Sequence, residues 1–204
     1  MDLQEFSSAL PKPWLNINAN SLNAANRVTQ DNGSLTPYNL FSSLNSFTTT
    51  SATSVNAMGT YVGTNELPAN SLYPGHTTRI KVSGIWTSVA GDNFATIGIR
   101  NDAGDIVYDE IKIYSGGAAT NEPWSVIFDI QFRSIGASSS VARSALSIRG
   151  PVTIGPGLIG VVNTIDDVVS GISTLSGITY NVYLEVSAAG SSITKNMSVA
   201  TVVF

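Results

Sequence analysis

Catalysis near neutral pH relies on a small set of side chains that can carry a nucleophile or a proton, and this chain holds few of them. It has no cysteine, which excludes a thiolate nucleophile, a thiolate metal site and a disulfide framework. His76, the one histidine, sits in the turn sequence Tyr73-Pro74-Gly75-His76. A Ser-His-Asp system would have no other imidazole to use, and an exposed turn histidine is the expectation. The run Gly155-Pro156-Gly157-Leu158-Ile159-Gly160 fits the spacing of a dinucleotide-binding loop, with Glu185 downstream. Such a loop needs a strand before it and a helix N-terminus after it. Here only Val152-Thr153-Ile154 precedes it, bounded by Pro151, and the surrounding pattern is antiparallel β. A Gly/Pro-shaped turn is the expectation.

Carboxylates come next. A glycosidase needs two of them about 5–5.5 or 6.5–9.5 Å apart. Asp109 and Glu110 are consecutive in a strand pattern and point to opposite faces. Asp105 and Asp109 would share a face about 13 Å apart along an extended chain. Asp166-Asp167 lies in an irregular stretch where backbone carbonyls would complete a calcium site, although solvated loop acids are the simpler expectation. No catalytic residue, cofactor or metal is therefore predicted. Among aromatics, Tyr61, Tyr73, Tyr108, Tyr114 and Tyr183 are the residues from which a sugar-stacking platform would be built. Tyr183 is opposite in phase to the apolar face of its strand and is expected to point outward, as an interface contact. The sequons at Asn32 and Asn196 are expected by chance in so Asn- and Ser-rich a chain.

Composition narrows the partners. The chain has 204 residues, a net charge of −4 and 12% charged residues, against about 25% in typical proteins. Its ten basic residues are scattered singly, so no patch exists to meet phosphates and nucleic acid is not an expected partner. No apolar run approaches the roughly 20 residues of a membrane span. Acids stand where a signal peptide carries basic residues, and no h-region follows, so neither a leader nor membrane insertion is expected. A mean hydropathy of +0.16 with so little charge describes a Ser/Thr/Asn surface that neighbouring subunits can cover at small desolvation cost.

The elements that would position any site are strands. Residues 124–132 give the clearest signal: Trp124, Val126, Phe128, Ile130 and Phe132 fall at every second position, which gathers them on one face of a strand and of no helix. Ile80, Val82 and Trp86 alternate with Arg79 and Lys81, and Tyr180, Val182, Leu184 and Val186 repeat the pattern. Strands are predicted over 77–86, 94–100, 105–113, 124–132, 141–149 and 180–186. A last strand has Met197, Val199 and Val203 in phase. Asn101-Asp102-Ala103-Gly104-Asp105 reads as a hairpin loop with Gly104 in a left-handed position. Residues 46–63 suit an outer strand and turn, while 66–76, 114–122 and 134–140 read as loops. Residues 150–175 could hold a strand near 158–163 and a short helix or loop near Asp166. Eight to ten strands with almost no helix imply an all-β antiparallel sandwich, in form an eight-stranded jelly roll.

Residues 1–45 differ from the rest. Pro11 and Pro13 hold Pro11-Lys12-Pro13-Trp14 extended, and the Asn-rich runs that follow form turns. Trp14, Leu15 and Ile17 are apolar residues in a stretch too polar for its own core. The segment is either a polar tail or an extended N-terminal arm docking on another subunit, with Trp14 as anchor. Residues 34–45 are expected to include a short helical turn. The division is thus an arm, 1–45, and a sandwich, 46–204.

The run from Thr77-Thr78-Arg79-Ile80 through Pro123–Phe132 to Ile178–Gly190, with the chain finishing inside its last strand, resembles the single jelly-roll proteins of virus particles. These include minor capsid and penton proteins of icosahedral double-stranded DNA viruses and trimeric heads of viral or phage fibres. The resemblance implies a non-enzymatic virion component, made in the host cytoplasm. It implies association with itself as a trimer or pentamer and with neighbouring capsid proteins. A capsid or vertex role is preferred over a fibre tip, since residues 1–45 show no heptads or repeated short strands of a shaft. A receptor- or carbohydrate-binding head, contacting its ligand through loops 66–76, 114–122 and 134–140, is the alternative. A glycan-degrading enzyme is the third reading.

Overall fold

The computed structural model of the chain describes residues 38–89, 93–115, 117–148 and 168–203. In chain order the strands are β1 (Tyr38–Ser43), β2 (Phe47–Thr49), β3 (Val55–Asn56), β4 (Val62–Gly63) and β5 (Glu66–Leu67). Then come the long ones, β6 (Thr77–Ser88), β7 (Asn93–Arg100), β8 (Val107–Ser115), β9 (Ala119–Phe132) and β10 (Ser139–Ile148). The series closes with β11 (Val168–Ile172), β12 (Ile178–Thr179), β13 (Asn181–Val186) and β14 (Ser192–Val203). No helix occurs among the described residues.

The larger sheet runs β11-β10-β9-β6-β14-β1-β4, with β2 also paired to β14. The smaller runs β3-β13-β7-β8, and β12 pairs β5 in a separate ladder. The recorded ladders are antiparallel. Pairing is nested: β6 lies between β9 and β14 while β7 lies between β8 and β13. The chain therefore crosses between the sheets at β6–β7, β8–β9 and β13–β14, which closes a sandwich. The described strands divide eight, four and two among the ladders, where the sequence predicted eight to ten in all. The excess is in two- and three-residue pieces.

Side-chain alternation places the core as expected. Val126, Phe128, Ile130 and Phe132 are fully buried on β9 and Trp124 nearly so; Ile80, Val82 and Trp86 face the same way from β6. The smaller sheet answers with Ala95, Ile97 and Ile99 from β7 and Val182, Leu184 and Val186 from β13. A hydrogen bond between the sheets, Thr78 Oγ1 to Tyr180 Oη at 3.3 Å, is buried beside Tyr108, whose ring meets Tyr180 edge-on at 5.3 Å. Burying a Phe or Ile side chain contributes about 1.5–3 kcal/mol, so these two faces hold the body together.

Several expectations need correction. The helical turn expected within 34–45 is replaced by β1, which lies between β14 and β4 in the larger sheet. A long-range ladder overrides a weak local preference there. Residues 39–43 thus form part of the sheet rather than an arm. Residues 114–122 are mostly strand, since β8 ends at Ser115 and β9 begins at Ala119. Residues 168–172 form β11, paired to β10, while the helix or loop expected near Asp166 falls on residues outside those described. The strand predicted at 158–163, the 155–160 glycine run and Asp166-Asp167 lie outside the described residues.

The last strand inverts its phase. A bulge between Lys195 and Met197 leaves Asn196 unpaired and turns Ser198, Ala200 and Val202 inward, with Met197, Val199 and Val203 on the half-exposed outer face. A bulge adds one residue to one strand and so swaps the faces beyond it. Gly84 on β6 pairs with Lys195 at this point. A Cβ there would run into the Thr194 carbonyl and the Trp124 ring, so glycine lets the two strands approach.

Candidate functional site

Three rows of outward residues, on β7, β8 and β13, define the candidate site on the smaller sheet. Because Ala95, Ile97 and Ile99 point inward, Phe94, Thr96, Gly98 and Arg100 line the outer face of β7. The register sets Phe94 against Tyr114, Thr96 against Lys112 and Gly98 against Glu110. On the other side, Thr96 meets Glu185, Gly98 meets Tyr183 and Arg100 meets Asn181. The face therefore has an aromatic end at Phe94 and Tyr114, charged groups in the middle, and Arg100 with Tyr183 at the far end. From Phe94 to Arg100 it extends about 20 Å along the strand.

Local contacts fix these groups. The Phe94 and Tyr114 rings are tilted against each other with centroids 5.8 Å apart, and the Lys112 ammonium stands 4.9 Å from the Phe94 centroid. Arg100 reaches Glu110 at 3.1 Å and lies 5.4 Å from the Tyr183 ring centre. Glu185 accepts a hydrogen bond from Ser54 at 3.2 Å. Phe94, Tyr114 and Lys112 are half-buried, whereas Thr96 is buried. Its Oγ1 and the Nε of Arg100 have no hydrogen-bond partner. Rings for the apolar side of a ligand, with an ammonium beside them and carboxylate and guanidinium groups farther along the same two strands, can recognise a polyhydroxylated molecule.

Tyr183 is placed differently from the expectation. It is on the outer side of β13, but the loop between β7 and β8 folds over it and leaves it 9% exposed. Its hydroxyl donates to the Asp102 carbonyl at 3.3 Å, and Gly104, at φ +76°, passes directly over the ring. Asp102 also accepts from Asn181 Nδ2 at 2.5 Å and Asn65 Nδ2 at 3.4 Å, and Tyr61 donates to Asn65 at 3.0 Å. Alternation along β13 reported the phase correctly, and the hairpin loop then consumed the exposed surface. Trp14, Leu15 and Ile17 lie outside the described residues.

His76 is also corrected. It is fully buried, edge-on to Tyr73 at 5.4 Å, because the turn at 73–76 tucks under the sheet end, with Gly75 and Phe132 hydrogen-bonded across it. Asp109 faces the core beside Ile99, while Glu110 faces out, so the two carboxylates diverge as predicted. Of the tyrosines proposed for a platform, Tyr108 is buried and Tyr183 covered; Tyr114 remains on the candidate face. Phe94, Lys112 and Arg100 were missed, and Glu110 was weighed only as a catalytic carboxylate. Their signal was the opposite phase to Ala95, Ile97 and Ile99 on β7 and to Ile111 on β8, which the apolar pattern made easy to overlook. Among the described residues no group of three or more His, Cys, Asp or Glu is placed to hold a metal ion, and no helix is long and apolar enough to cross a membrane.

One further ionisable group lies inside the body. Lys195 is fully buried, and its Nζ donates to the Met58 carbonyl at 2.9 Å and Ser43 Oγ at 3.3 Å. Burial holds its pKa below the ordinary lysine value. Ser43, itself buried, donates to the Thr60 carbonyl at 2.7 Å. The pair has the atoms of a Ser-Lys dyad but no solvent access, so it acts as a clasp between β14, β1 and residues 58–60.

No protein-family model matches the sequence, and no curated protein does. Among solved structures, the chain is similar to the CBM2 module of the evolved Dit of Lactobacillus casei BL23 phage J-1, at 9% identity and a TM-score of 0.27. The match covers 67% of this chain and 66% of that one, just under two thirds of the neighbour. An overlap of that size bears on neither ligand nor role.

Proposed function

We propose that this chain is a non-enzymatic recognition module of a virus particle and that the outer face of β13-β7-β8 holds a carbohydrate on a receptor. The observation that carries the reading is the half-buried Phe94–Tyr114 ring pair with Lys112 beside it and the Glu110–Arg100 pair farther along the same face. Sugars are bound through ring stacking on one side and planar hydrogen-bonding groups on the other, and this face supplies both. The virion setting follows the jelly-roll resemblance and the low-charge surface. Support for a non-catalytic role comes from the diverging Asp109 and Glu110 and from the burial of His76 and Lys195. The contacts move from the loops expected in the sequence to a strand face. A glycan array tests this. Binding that falls at least tenfold in F94A and in Y114A is expected, and an array without a bound glycan would remove the reading.

A second reading, assembly with further copies, is favoured by a different observation. Leu44, just after β1, and Val62 on β4 are 78% and 80% exposed, and among the described residues β4 is the last strand of the larger sheet on that side. Exposed apolar residues on a free edge invite pairing with another chain. Mass measurement in solution, with L44S/V62S as control, tests it. An oligomer dissolved by the double substitution is the expected result, and a monomer at high concentration would count against it.

A further inference from the structure

Resting on the carbohydrate reading, we infer that the site selects a saccharide bearing a carboxylate, which the Lys112 ammonium receives beside the aromatic end. Among the described residues of this face, Lys112 is the cationic group with no ion-pair partner. Arg100 is neutralised by Glu110 at 3.1 Å. Glu185 takes its hydrogen bond from Ser54 and lies two strands from Lys112, about 10 Å at strand spacing. Among the described residues Lys112 makes neither an ion pair nor a side-chain hydrogen bond; its ammonium rests over Phe94.

That resting place is weakly held. A cation resting over a ring is held less strongly than one in a charge-assisted hydrogen bond to a carboxylate. A carboxylate arriving at the face therefore draws the ammonium off Phe94 and exposes the ring for stacking by the same sugar. Both halves of the site are completed by one ligand. The protein as a whole repels anions, with net charge −4 and only ten basic residues, so an uncompensated cation beside half-buried rings is a local exception that a ligand of opposite sign fits.

The test is an array holding neutral and carboxylate-bearing oligosaccharides together with the methyl esters of the latter, probed with wild type, K112Q and F94A. Binding to carboxylate-bearing members is expected. It should fall about tenfold for their methyl esters, for K112Q, and on raising salt to about 1 M, where screening acts within roughly 3 Å. Equal binding of acids and esters, or unchanged binding by K112Q while F94A loses it, overturns the carboxylate inference and leaves the carbohydrate reading intact. Undiminished binding by F94A, or no bound glycan at all, overturns both.

Discussion

At the scale of single residues, two buried ionisable groups set how stability follows pH. Burial holds Lys195 below its ordinary 10.5, so at lower pH the folded state confines a charged amine that water would otherwise solvate. Raising the pH from the lowered folded value toward 10.5 removes that penalty, and stability rises. Tyr108 works in the other direction. Burial first, then Asp102 and Asp105, raise it above its ordinary 10.0. Its contribution is full below 10.0 and is lost above, where the unfolded chain's tyrosine ionises and the folded one does not. Urea midpoints between about pH 7 and 11 are expected to climb and then fall, with K195M flattening the climb and Y108F the fall. At neutral pH K195M should be neutral or stabilise by about 1 kcal/mol, since an apolar side chain replaces a buried charge. A second local test concerns Gly104. Alanine there must keep a positive φ and press on Tyr183, a cost of about 1–3 kcal/mol that a thermal melt of G104A would read.

At the scale of elements, the β6–β14 ladder is the most informative. Its bulge is placed where Gly84 allows close approach, so G84A is expected to wedge the two strands apart and cost about 1–3 kcal/mol. Asn196 is the unpaired residue of that bulge. Deleting it leaves Lys195 and Ser198 inward with Met197 between them, so the faces are kept and the melting temperature should shift by only a few degrees. Deleting Val199 instead moves Ala200 and Val202 outward and should destabilise by several kcal/mol, as apolar residues leave the core. The same melt run on the two deletions separates a register set by the bulge from one set by the alternation of the chain.

At the scale of the whole molecule, the two sheets carry different surfaces. The outer face of the larger sheet pairs Arg79 with Asp129 at 2.7 Å and presents exposed Lys81, hydroxyls, and half-exposed Ile127, Met197 and Val199. The smaller sheet presents the rings and charges of the candidate site. Recognition and assembly thus make separable predictions: F94A should lose glycan without changing mass in solution, and L44S/V62S should change mass without losing glycan. Size-exclusion with light scattering beside the array reads both.

The sequence by itself determined the strands whose pattern is local. Trp124 to Phe132, Ile80 to Trp86 and Tyr180 to Val186 are buried where alternation put them, because a side-chain period of two is a property of each strand alone. The left-handed Gly104 was legible for the same reason. Tertiary structure decided the rest. β1 is a strand because β14 and β4 flank it, and Lys195 is buried because a bulge opposite Gly84 resets the phase. Tyr183 is covered because a neighbouring hairpin folds over it. The candidate site, too, became visible only when register brought Phe94 beside Tyr114, and Thr96 beside Lys112 and Glu185. Those are contacts between residues distant in the chain, and composition and periodicity carry no record of which strand lies next to which.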